Sequence, residues 1–180
     1  MARAFISLGS NVHPAKNIRK AIRCLSKFVR VNAVSTVYCT TPEGGPEQPV
    51  YFNCVLDIET GEPPEKLKFD VLRRIETDMG RIRGADKYAP RTIDIDLIAY
   101  GDLVLETGRL TLPDPLIMSR PFLAIPLFEL SPGLIIPGTG IPVKQVAAAL
   151  TPDKMKALSG YTALVRKEAR HGCRESQRTY

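Results

Sequence analysis

The stretch Ala89-Pro90-Arg91-Thr92-Ile93-Asp94-Ile95-Asp96-Leu97-Ile98 places two carboxylates two residues apart in a segment rich in isoleucine and leucine. Successive strand residues point to opposite faces, so Asp94 and Asp96 are predicted to share one face. The opposite face takes Ile93, Ile95 and Leu97. Two carboxylates on one strand face lie about 6.5–7 Å apart along the backbone and repel each other unless a cation neutralises them. The pattern predicts a divalent-cation site, with a merely solvated strand face as the simpler alternative.

Charged side chains are concentrated between the preceding helix and this strand. Glu76, Arg81 and Arg83 come before it, and Arg91 lies just ahead of the aspartates. Guanidinium groups bind phosphate oxygens through paired hydrogen bonds and stay charged. Carboxylates that hold Mg²⁺ beside arginines are the components of phosphoryl-transfer sites. The alternative is a polar loop whose ion pairs contribute little.

The composition narrows the class of protein. The 180 residues are 44% hydrophobic, which is enough for one globular domain without stabilising disulfides or metals. We expect a cytoplasmic chain with no membrane segment, whose four widely spaced cysteines are free thiols. There is no P-loop motif, and the only histidines, His13 and His171, lie far from the central stretch. The net charge of +6 favours anionic partners without identifying them.

Apolar spacing predicts the element order β-α-β-β-α-β. Strands are expected at 4–8, 31–38, 51–58 and 93–98, and amphipathic helices at 18–28 and 67–79. This order is typical of an α+β, ferredoxin-like βαββαβ core. Further helices at 121–130 and 143–150 predict α/β/α layers with extra C-terminal helices. Residues 1–160 are predicted to form a single domain, and residues 161–180 a basic, mobile tail.

An ordered set of motifs resembles one known family. The motifs are Gly9-Ser10-Asn11, Tyr38, Thr41-Pro42, Tyr51-Phe52-Asn53, Gly80-Arg81-x-Arg83, Pro90 to Asp96, Arg109-Leu110-Thr111-Leu112-Pro113, Arg120-x-Phe122 and Pro126-Leu127-Phe128-Glu129. Together they resemble the 6-hydroxymethyl-7,8-dihydropterin pyrophosphokinases of folate biosynthesis, over about residues 4 to 150.

The resemblance implies transfer of the β,γ-pyrophosphoryl group of ATP to the hydroxymethyl oxygen of the pterin, with release of AMP. Asp94 and Asp96 would hold two Mg²⁺ ions, and Arg81 and Arg91 would steer the phosphates. The residues implied to seat ATP are Glu76, Arg83, Arg109, Thr111 and Arg120. The pterin would contact Asn53, the Thr41-Pro42 loop, Tyr51 and Phe122, the last two stacking on its ring. The expected partners of the protein are the pterin and ATP, with no nucleic acid. The protein is expected to be a monomer.

The chain also departs from the family pattern. Asp114 stands where many members have histidine, Gly84 or Ala85 where some have a basic residue, Tyr88 where some have tryptophan, and Arg73 where some have glutamine. Fewer cations and one more carboxylate weaken the expected grip on triphosphate, unless Arg73 or Lys87 compensates. The long, charged loop from Gly80 to Thr92 is predicted to close over bound ATP, because water would hydrolyse the reactive phosphates.

Three other classes are consistent with parts of the sequence. A basic βαββαβ domain is also the shape of RNA-recognition modules, although Asp94 and Asp96 would repel a phosphate backbone. A palm-like nucleotidyltransferase would use the same two-metal chemistry with a nucleic-acid primer. A regulatory ligand-binding domain would not require the clustered acids and arginines.

Overall fold

An antiparallel sheet with helices on both faces organises the chain, in a computed structural model that describes residues 1–41, 49–81 and 90–176, with side chains to residue 170. The strands are β1 (Ala2–Ser10), β2 (Arg30–Val34), β3 (Tyr38–Thr40), β4 (Tyr51–Thr60), β5 (Asp94–Tyr100), β6 (Leu105–Glu106), β7 (Thr111–Leu112) and β8 (Met155–Ala157). The α-helices are α1 (Pro14–Leu25), α2 (Pro64–Lys66), α3 (Arg73–Asp78), α4 (Pro121–Leu130), α5 (Val143–Ala149) and α6 (Ser159–Ser176). A π-helical segment, Leu67–Leu72, joins α2 to α3, and a 3₁₀ helix spans Pro115–Met118.

Strand β1 lies at the centre of the part of the sheet that carries the candidate site. The strand order is β5-β1-β4-β3-β8, and β2 pairs with the other end of β4. Every pairing in this sheet is antiparallel. In the register of β1, Gly9 lies between Asp94 of β5 and Asn53 of β4. The sheet therefore brings together residues that are about 40 positions apart in the sequence.

Two hydrophobic cores cover the two faces of the sheet. The larger core packs α1, the π-helical segment, α3 and α6 against one face, with Ile6, Leu56 and Ile95 among its fully buried members. The smaller core packs α4 and α5 against the other face, around Val55 and Ile98. The predicted mixed class, with helices on both faces and extra C-terminal helices, is confirmed.

The alternation predicted for β5 is confirmed. Ile93, Ile95 and Leu97 are buried in the larger core, at 0%, 0% and 2% exposure. The side chains of Asp94 and Asp96 are on the other face and retain 18% and 44% of their exposure. Strand parity alone therefore separates the core-forming residues of β5 from its two acids.

Two predicted boundaries were wrong. Helix α1 ends at Leu25 rather than continuing to Phe28, which is 49% exposed. A tight turn causes this, because the amide of Phe28 bonds to the carbonyl oxygen of Leu25, three residues before it. The single strand predicted for 31–38 is divided into β2 and β3. The division occurs at Ser35, whose side-chain oxygen accepts the amide hydrogen of Val55 and interrupts the regular ladder.

The segment from residue 161, predicted as a basic tail, is helical where the structure describes it, and its mobility stays a prediction. It belongs to α6, in which Val165 and Ala169 are buried against the larger core. The hydroxyl of Tyr161 donates to the carbonyl oxygen of Ala15 at 2.6 Å, and Arg166 donates to that of Val34 at 2.8 Å. The few apolar residues of the segment recur every four positions, so they form one buried stripe despite the basic composition.

Glu168 connects α6 to α1 by ion pairs with Arg19 and Arg23. The hydrogen bond from Arg19 lowers the pKa of Glu168 below its ordinary value. A lowered folded-state pKa stabilises the protein above the unfolded pKa, and this contribution is lost as the pH falls through the folded pKa.

We therefore expect Glu168→Gln to lower the unfolding midpoint at pH 7. The difference from wild type should vanish as the pH falls below about 4. Thermal unfolding between pH 3 and 7 measures it, and a constant difference would contradict the ion-pair explanation.

None of the helices within the described residues is long and apolar enough to cross a membrane.

Candidate active site

Asp94 lies at the start of β5 between two arginines. Arg81 donates to one carboxylate oxygen and Arg91 to the other. Burial acts to raise the pKa of Asp94, but the positive charges of Arg81 and Arg91 outweigh it and lower this pKa. Asp94 therefore stays ionised and can bind a cation.

Glu76 of α3 holds Arg81 in place from below the strand. Its carboxylate is 2% exposed, accepts a hydrogen bond from Arg81, and accepts the amide hydrogen of Ile95 at 2.8 Å. Burial opposes the charge of Arg81, but the carboxylates of Asp94 and Glu76 keep its pKa above the ordinary value. The sequence-predicted residues Glu76, Arg81 and Asp94 are thus directly connected, and Glu76 is a buried anchor for the helix, the arginine and the strand.

Arg91 is positioned by the turn that follows β1. Its backbone amide donates to the Oδ1 atom of Asn11 at 2.6 Å, and its carbonyl oxygen accepts from the amide of Asn11 at 3.1 Å. The hydroxyl of Ser10 donates to the carbonyl oxygen of Thr92 at 2.6 Å. These bonds attach the segment that carries Arg91 to the central strand, which explains the Gly9-Ser10-Asn11 motif in structural terms.

Asp96 has a different partner, which the sequence analysis missed. Lys68 of the π-helical segment donates from Nζ to a carboxylate oxygen of Asp96 and to the carbonyl oxygen of Ile95, the latter at 3.1 Å. In the sequence, Lys68 is a single lysine in an amphipathic helix and indicates only a solvated position. The side chain of Lys68 projects from a π-helical turn, and no pattern in the sequence predicted that turn.

The polar residues on β3 and β4 form the next part of the site. Asn53 is buried, and its amide group donates to the hydroxyl of Thr40 at 2.7 Å. That bond fixes the orientation of the amide, whose oxygen is directed toward Gly9. The predicted Asn53 is therefore in position beside Asp94. The threonine that orients it is Thr40, which the sequence analysis did not select, whereas Thr41 is exposed.

Two aromatic residues predicted for the site lie on the same side of the sheet. Tyr51 is half-buried on β4, two residues before Asn53 and hence on the same face. Burial raises the pKa of Tyr51, while the charge of Arg91 acts to lower it and that of Asp94 acts to raise it. Phe122 of α4 packs against the smaller core on this face.

The remaining predicted ATP-binding residues are more dispersed. Arg109 lies over the ring of Phe69, with its guanidinium carbon 4.4 Å from the ring centroid, and Arg73 lies 4.5 Å from the same centroid. Thr111 is exposed on β7 and Arg120 precedes α4. Through Phe69, Arg109 is joined to the π-helical segment that carries Lys68.

Several predictions fall on residues outside the described part of the chain. These are Pro42, Arg83, Gly84, Ala85, Lys87 and Tyr88. The lid formed by the loop from Gly80 to Thr92 depends on the same region, so closure over ATP stays a prediction.

Asp114, the departure from the family histidine, begins the 3₁₀ helix. Its carboxylate accepts the amide hydrogen of Leu116 at 2.9 Å. Burial raises the pKa of Asp114, and the nearby negative charge of Asp96 raises it further, against the effect of the Leu116 hydrogen bond. The extra carboxylate therefore serves as a helix cap within electrostatic reach of the candidate site.

The acids of β5 are suitable ligands for Mg²⁺. In the described part of the chain, no group of three or more His, Cys, Asp or Glu side chains is arranged to hold a metal ion. Mg²⁺ does not require such a group, because it is usually bound by one or two carboxylates together with waters and substrate phosphates. Asp94 and Asp96 supply two carboxylates on one face, and both already attract cationic side chains. The donor set fits this ion.

Buried Glu76 and partly buried Asp94 are paired with arginines, and the carboxylate of Asp96 beside them is partly open to solvent. This combination defines a site of the phosphoryl-transfer class. The family model for 7,8-dihydro-6-hydroxymethylpterin-pyrophosphokinase (HPPK) matches residues 5–132. The chain belongs to this family, so the family predicted from the motifs is confirmed, and the chain is an enzyme of the pyrophosphokinase type. Enzymes of this family use ATP as a substrate.

Individual relatives are similar over most of their length. The chain is 37% identical over 162 residues to the 2-amino-4-hydroxy-6-hydroxymethyldihydropteridine pyrophosphokinase of Haemophilus influenzae, covering 88% of this chain and 99% of that protein. It is 40% identical over 147 residues to the enzyme of the same name from Synechocystis, covering 79% and 73% of the two proteins.

Solved structures have a similar fold. The wild-type HPPK-DHPS of Plasmodium falciparum with SDX-DHP matches with a TM-score of 0.65 at 12% identity, over 87% of this chain. The match covers 47% of that longer chain, so the present chain spans about half of it. At this identity the likeness concerns the fold alone.

Proposed function

We propose that this chain transfers the β,γ-pyrophosphoryl group of ATP to the hydroxymethyl oxygen of 6-hydroxymethyl-7,8-dihydropterin, in folate biosynthesis. The observation that carries the proposal is the row Asp94, Gly9 and Asn53 across three strands. In this row an ionised acid with two arginines is separated by one strand, β1, from a buried amide whose orientation is fixed by Thr40. A site for a phosphorylated nucleotide and a site for a flat polar ring are therefore adjacent.

The reaction joins the hydroxymethyl oxygen to the β-phosphorus and breaks the bond between that phosphorus and the oxygen bridging to the α-phosphate. AMP leaves with the bridging oxygen, and the proton of the hydroxyl group passes to solvent. Arg91 is 37% exposed and can exchange an Asp94 oxygen for a phosphate oxygen. Arg81 is held by Glu76 and Asp94, so it supplies a fixed positive charge beside the phosphates.

Asp94 and Asp96 would hold two Mg²⁺ ions brought in with the nucleotide. When bound, these ions neutralise the charge of the triphosphate and polarise the phosphorus that is attacked. The protein contributes the spacing and orientation of the two acids. Asp94 is held rigidly by its arginines, whereas Asp96 has the more accessible carboxylate.

Asn53 and Tyr51 would bind the pterin, with Phe122 on the other side of its ring. The amide oxygen of Asn53 can accept a hydrogen bond from an N–H group of the pterin, because the bond from its NH₂ group to Thr40 fixes the orientation of the amide. Aromatic side chains favour stacked or tilted contacts with a flat ring. This arrangement is supported by the shared face of Tyr51 and Asn53.

Gly9→Ala tests the pterin position. A Cβ atom at Gly9 would lie 2.8 Å from the Oδ1 atom of Asn53, so the amide would have to move. We expect the KM for the pterin to rise about tenfold, the equivalent of one hydrogen bond, with the KM for ATP within about twofold. Gly133→Ala is the matched control, because nothing lies within 4 Å of its Cβ position. A tenfold change in the KM for ATP alone would contradict the assignment.

The decisive experiment is to incubate the protein with the hydroxymethyldihydropterin, ATP and Mg²⁺ and to identify the nucleotide product. AMP and the pterin diphosphate are expected, and neither should form when the metal is chelated. Release of ADP, or turnover only with added polynucleotide, would overturn the proposal in favour of a simple kinase or a nucleotidyltransferase.

Three further expectations belong to this proposal. The strand order β5-β1-β4 with β2 on the far side of β4 supports a ferredoxin-like assignment of the core. The enzyme acts as a monomer, which sedimentation at micromolar concentration tests. It works in the cytoplasm, which fractionation of cells that produce it tests.

A further inference from the structure

The π-helical segment Leu67–Leu72 changes the direction of one helix beside the candidate site. The amide of Arg73 bonds to the carbonyl oxygen of Lys68, five residues earlier rather than four. Such a turn contains one extra residue, and π-helical turns are often found at functional sites. Leu67, Val71 and Leu72 still point into the larger core. Lys68, the residue that follows Leu67, is on the side of the helix that faces β5.

The side chain of Lys68 lies against the face of β5 that carries Asp94 and Asp96. Its side chain is 12% exposed, and its ammonium group contacts Asp96 and the carbonyl oxygen of Ile95. Asp96, by contrast, is 44% exposed. The nearly buried ammonium group of Lys68 therefore contacts Asp96 from the interior of the protein. The carboxylate of Asp96 remains open to solvent on its other side.

The same segment supports two further cations. Phe69 follows Lys68, and the guanidinium groups of Arg73 and Arg109 lie 4.5 Å and 4.4 Å from its ring centroid. A guanidinium over an aromatic ring is held by electrostatic attraction. The segment thus gathers positive charge along the edge where the nucleotide phosphates are expected, although the chain has lost basic residues at other family positions.

Lys68 and the arginines at Asp94 differ in how easily they can be displaced. Arg81 is bonded to two carboxylates, one of them the buried Glu76, and cannot leave without exposing both. Lys68 has a flexible stem and a compact ammonium group with three donors. Asp96 is open to solvent, so a cation arriving from solvent can reach its carboxylate and replace the ammonium group as its partner.

We propose that Lys68 is an exchangeable counterion of the nucleotide site. Without nucleotide it neutralises Asp96. When a divalent cation arrives with ATP and binds Asp96, the ammonium group transfers to the phosphate oxygens. This inference rests on the proposed function and assigns the phosphate-binding cation that the family motifs lack in this chain.

The test measures binding without turnover. Calorimetry with Mg²⁺ and α,β-methylene-ATP reports nucleotide affinity, and electron paramagnetic resonance with Mn²⁺ alone reports metal affinity. Lys68→Met keeps the stem and removes the charge, Lys68→Gln gives a second neutral variant, and Lys68→Arg restores a cation. Lys66→Met is the matched control, because Lys66 lies two residues before Lys68, pairs with Glu62 and is 57% exposed.

The two measurements should move in opposite directions. Both neutral variants should bind Mn²⁺ alone several-fold more tightly, because the competing ammonium is gone, and should bind the nucleotide analogue about tenfold more weakly. Lys68→Arg should keep analogue affinity within about threefold of wild type, and Lys66→Met should change neither quantity. Unchanged analogue affinity in the neutral variants, or equal effects in Lys66→Met, would overturn the inference while wild-type binding persists. Absence of Mg²⁺-dependent analogue binding by wild type would instead overturn the proposed function.

Discussion

Asp96→Asn is expected to reduce turnover by more than about 100-fold, because even residues that only orient a metal ligand cost about 10–100-fold when they are replaced. Asp96 is 44% exposed and its described partner is Lys68. The fold should therefore lose little, and the unfolding midpoint should stay close to that of wild type. Steady-state formation of AMP and thermal unfolding measure the two quantities on the same preparation.

Asp102→Asn is the matched control for this variant. Asp102 is exposed in the turn that follows β5, and its replacement removes the same charge from the same region. Full activity in Asp102→Asn together with near-complete loss in Asp96→Asn would assign the effect to the carboxylate itself. Activity of Asp96→Asn within about twofold of wild type would remove Asp96 from the metal site.

Arg81→Met is expected to lower the free energy of unfolding by about 3 kcal/mol, the low end of the range for removal of one member of a buried ion pair. Arg81 is shared by Asp94 and by Glu76, whose side chain is 2% exposed. Removing the guanidinium leaves two carboxylates close together without their common cation. The loss stays at the low end because the amide of Ile95 continues to donate to Glu76. Urea unfolding gives the difference.

Arg74→Met provides the comparison for stability. Arg74 pairs with Asp78 in α3 at 3.8 Å, and both side chains are about 70% exposed. Exposed pairs of this kind contribute about 0–1 kcal/mol, so the change should be small. If Arg81→Met and Arg74→Met were equally stable, the buried network would have no structural role. Activity of Arg81→Met should be lost in addition, because the same guanidinium faces the phosphates.

Much of the candidate site could be predicted from local sequence. Asp94 and Asp96 were assigned to one face, and Arg81 and Arg91 to their neighbourhood, and the structure places them so. The prediction of a shared face for the two acids is confirmed because strand parity depends on the backbone of adjacent residues. Glu76 was predicted as an ATP-binding residue. Its burial beneath β5 results from the packing of α3 against the strand, which the local sequence does not encode.

Other parts of the site depend on contacts that no local pattern encodes. Thr40 rather than Thr41 bonds to Asn53, because the pairing of β3 with β4 determines which threonine faces the amide. The packing of the segment after residue 160 depends on such contacts too. Its composition is basic and polar, but Val165 and Ala169 form a stripe that is stable only against the larger core.

The sequence by itself determined the class of the protein and the two acids of β5, since motif residues and a period of two are properties of the chain alone. The tertiary structure decided which cation each acid meets. Arg81 and Arg91 meet Asp94, and the π-helical turn directs Lys68 to Asp96. The physical reason is that the rotation of a helix against a strand is determined by packing of the core, through residues distant in sequence.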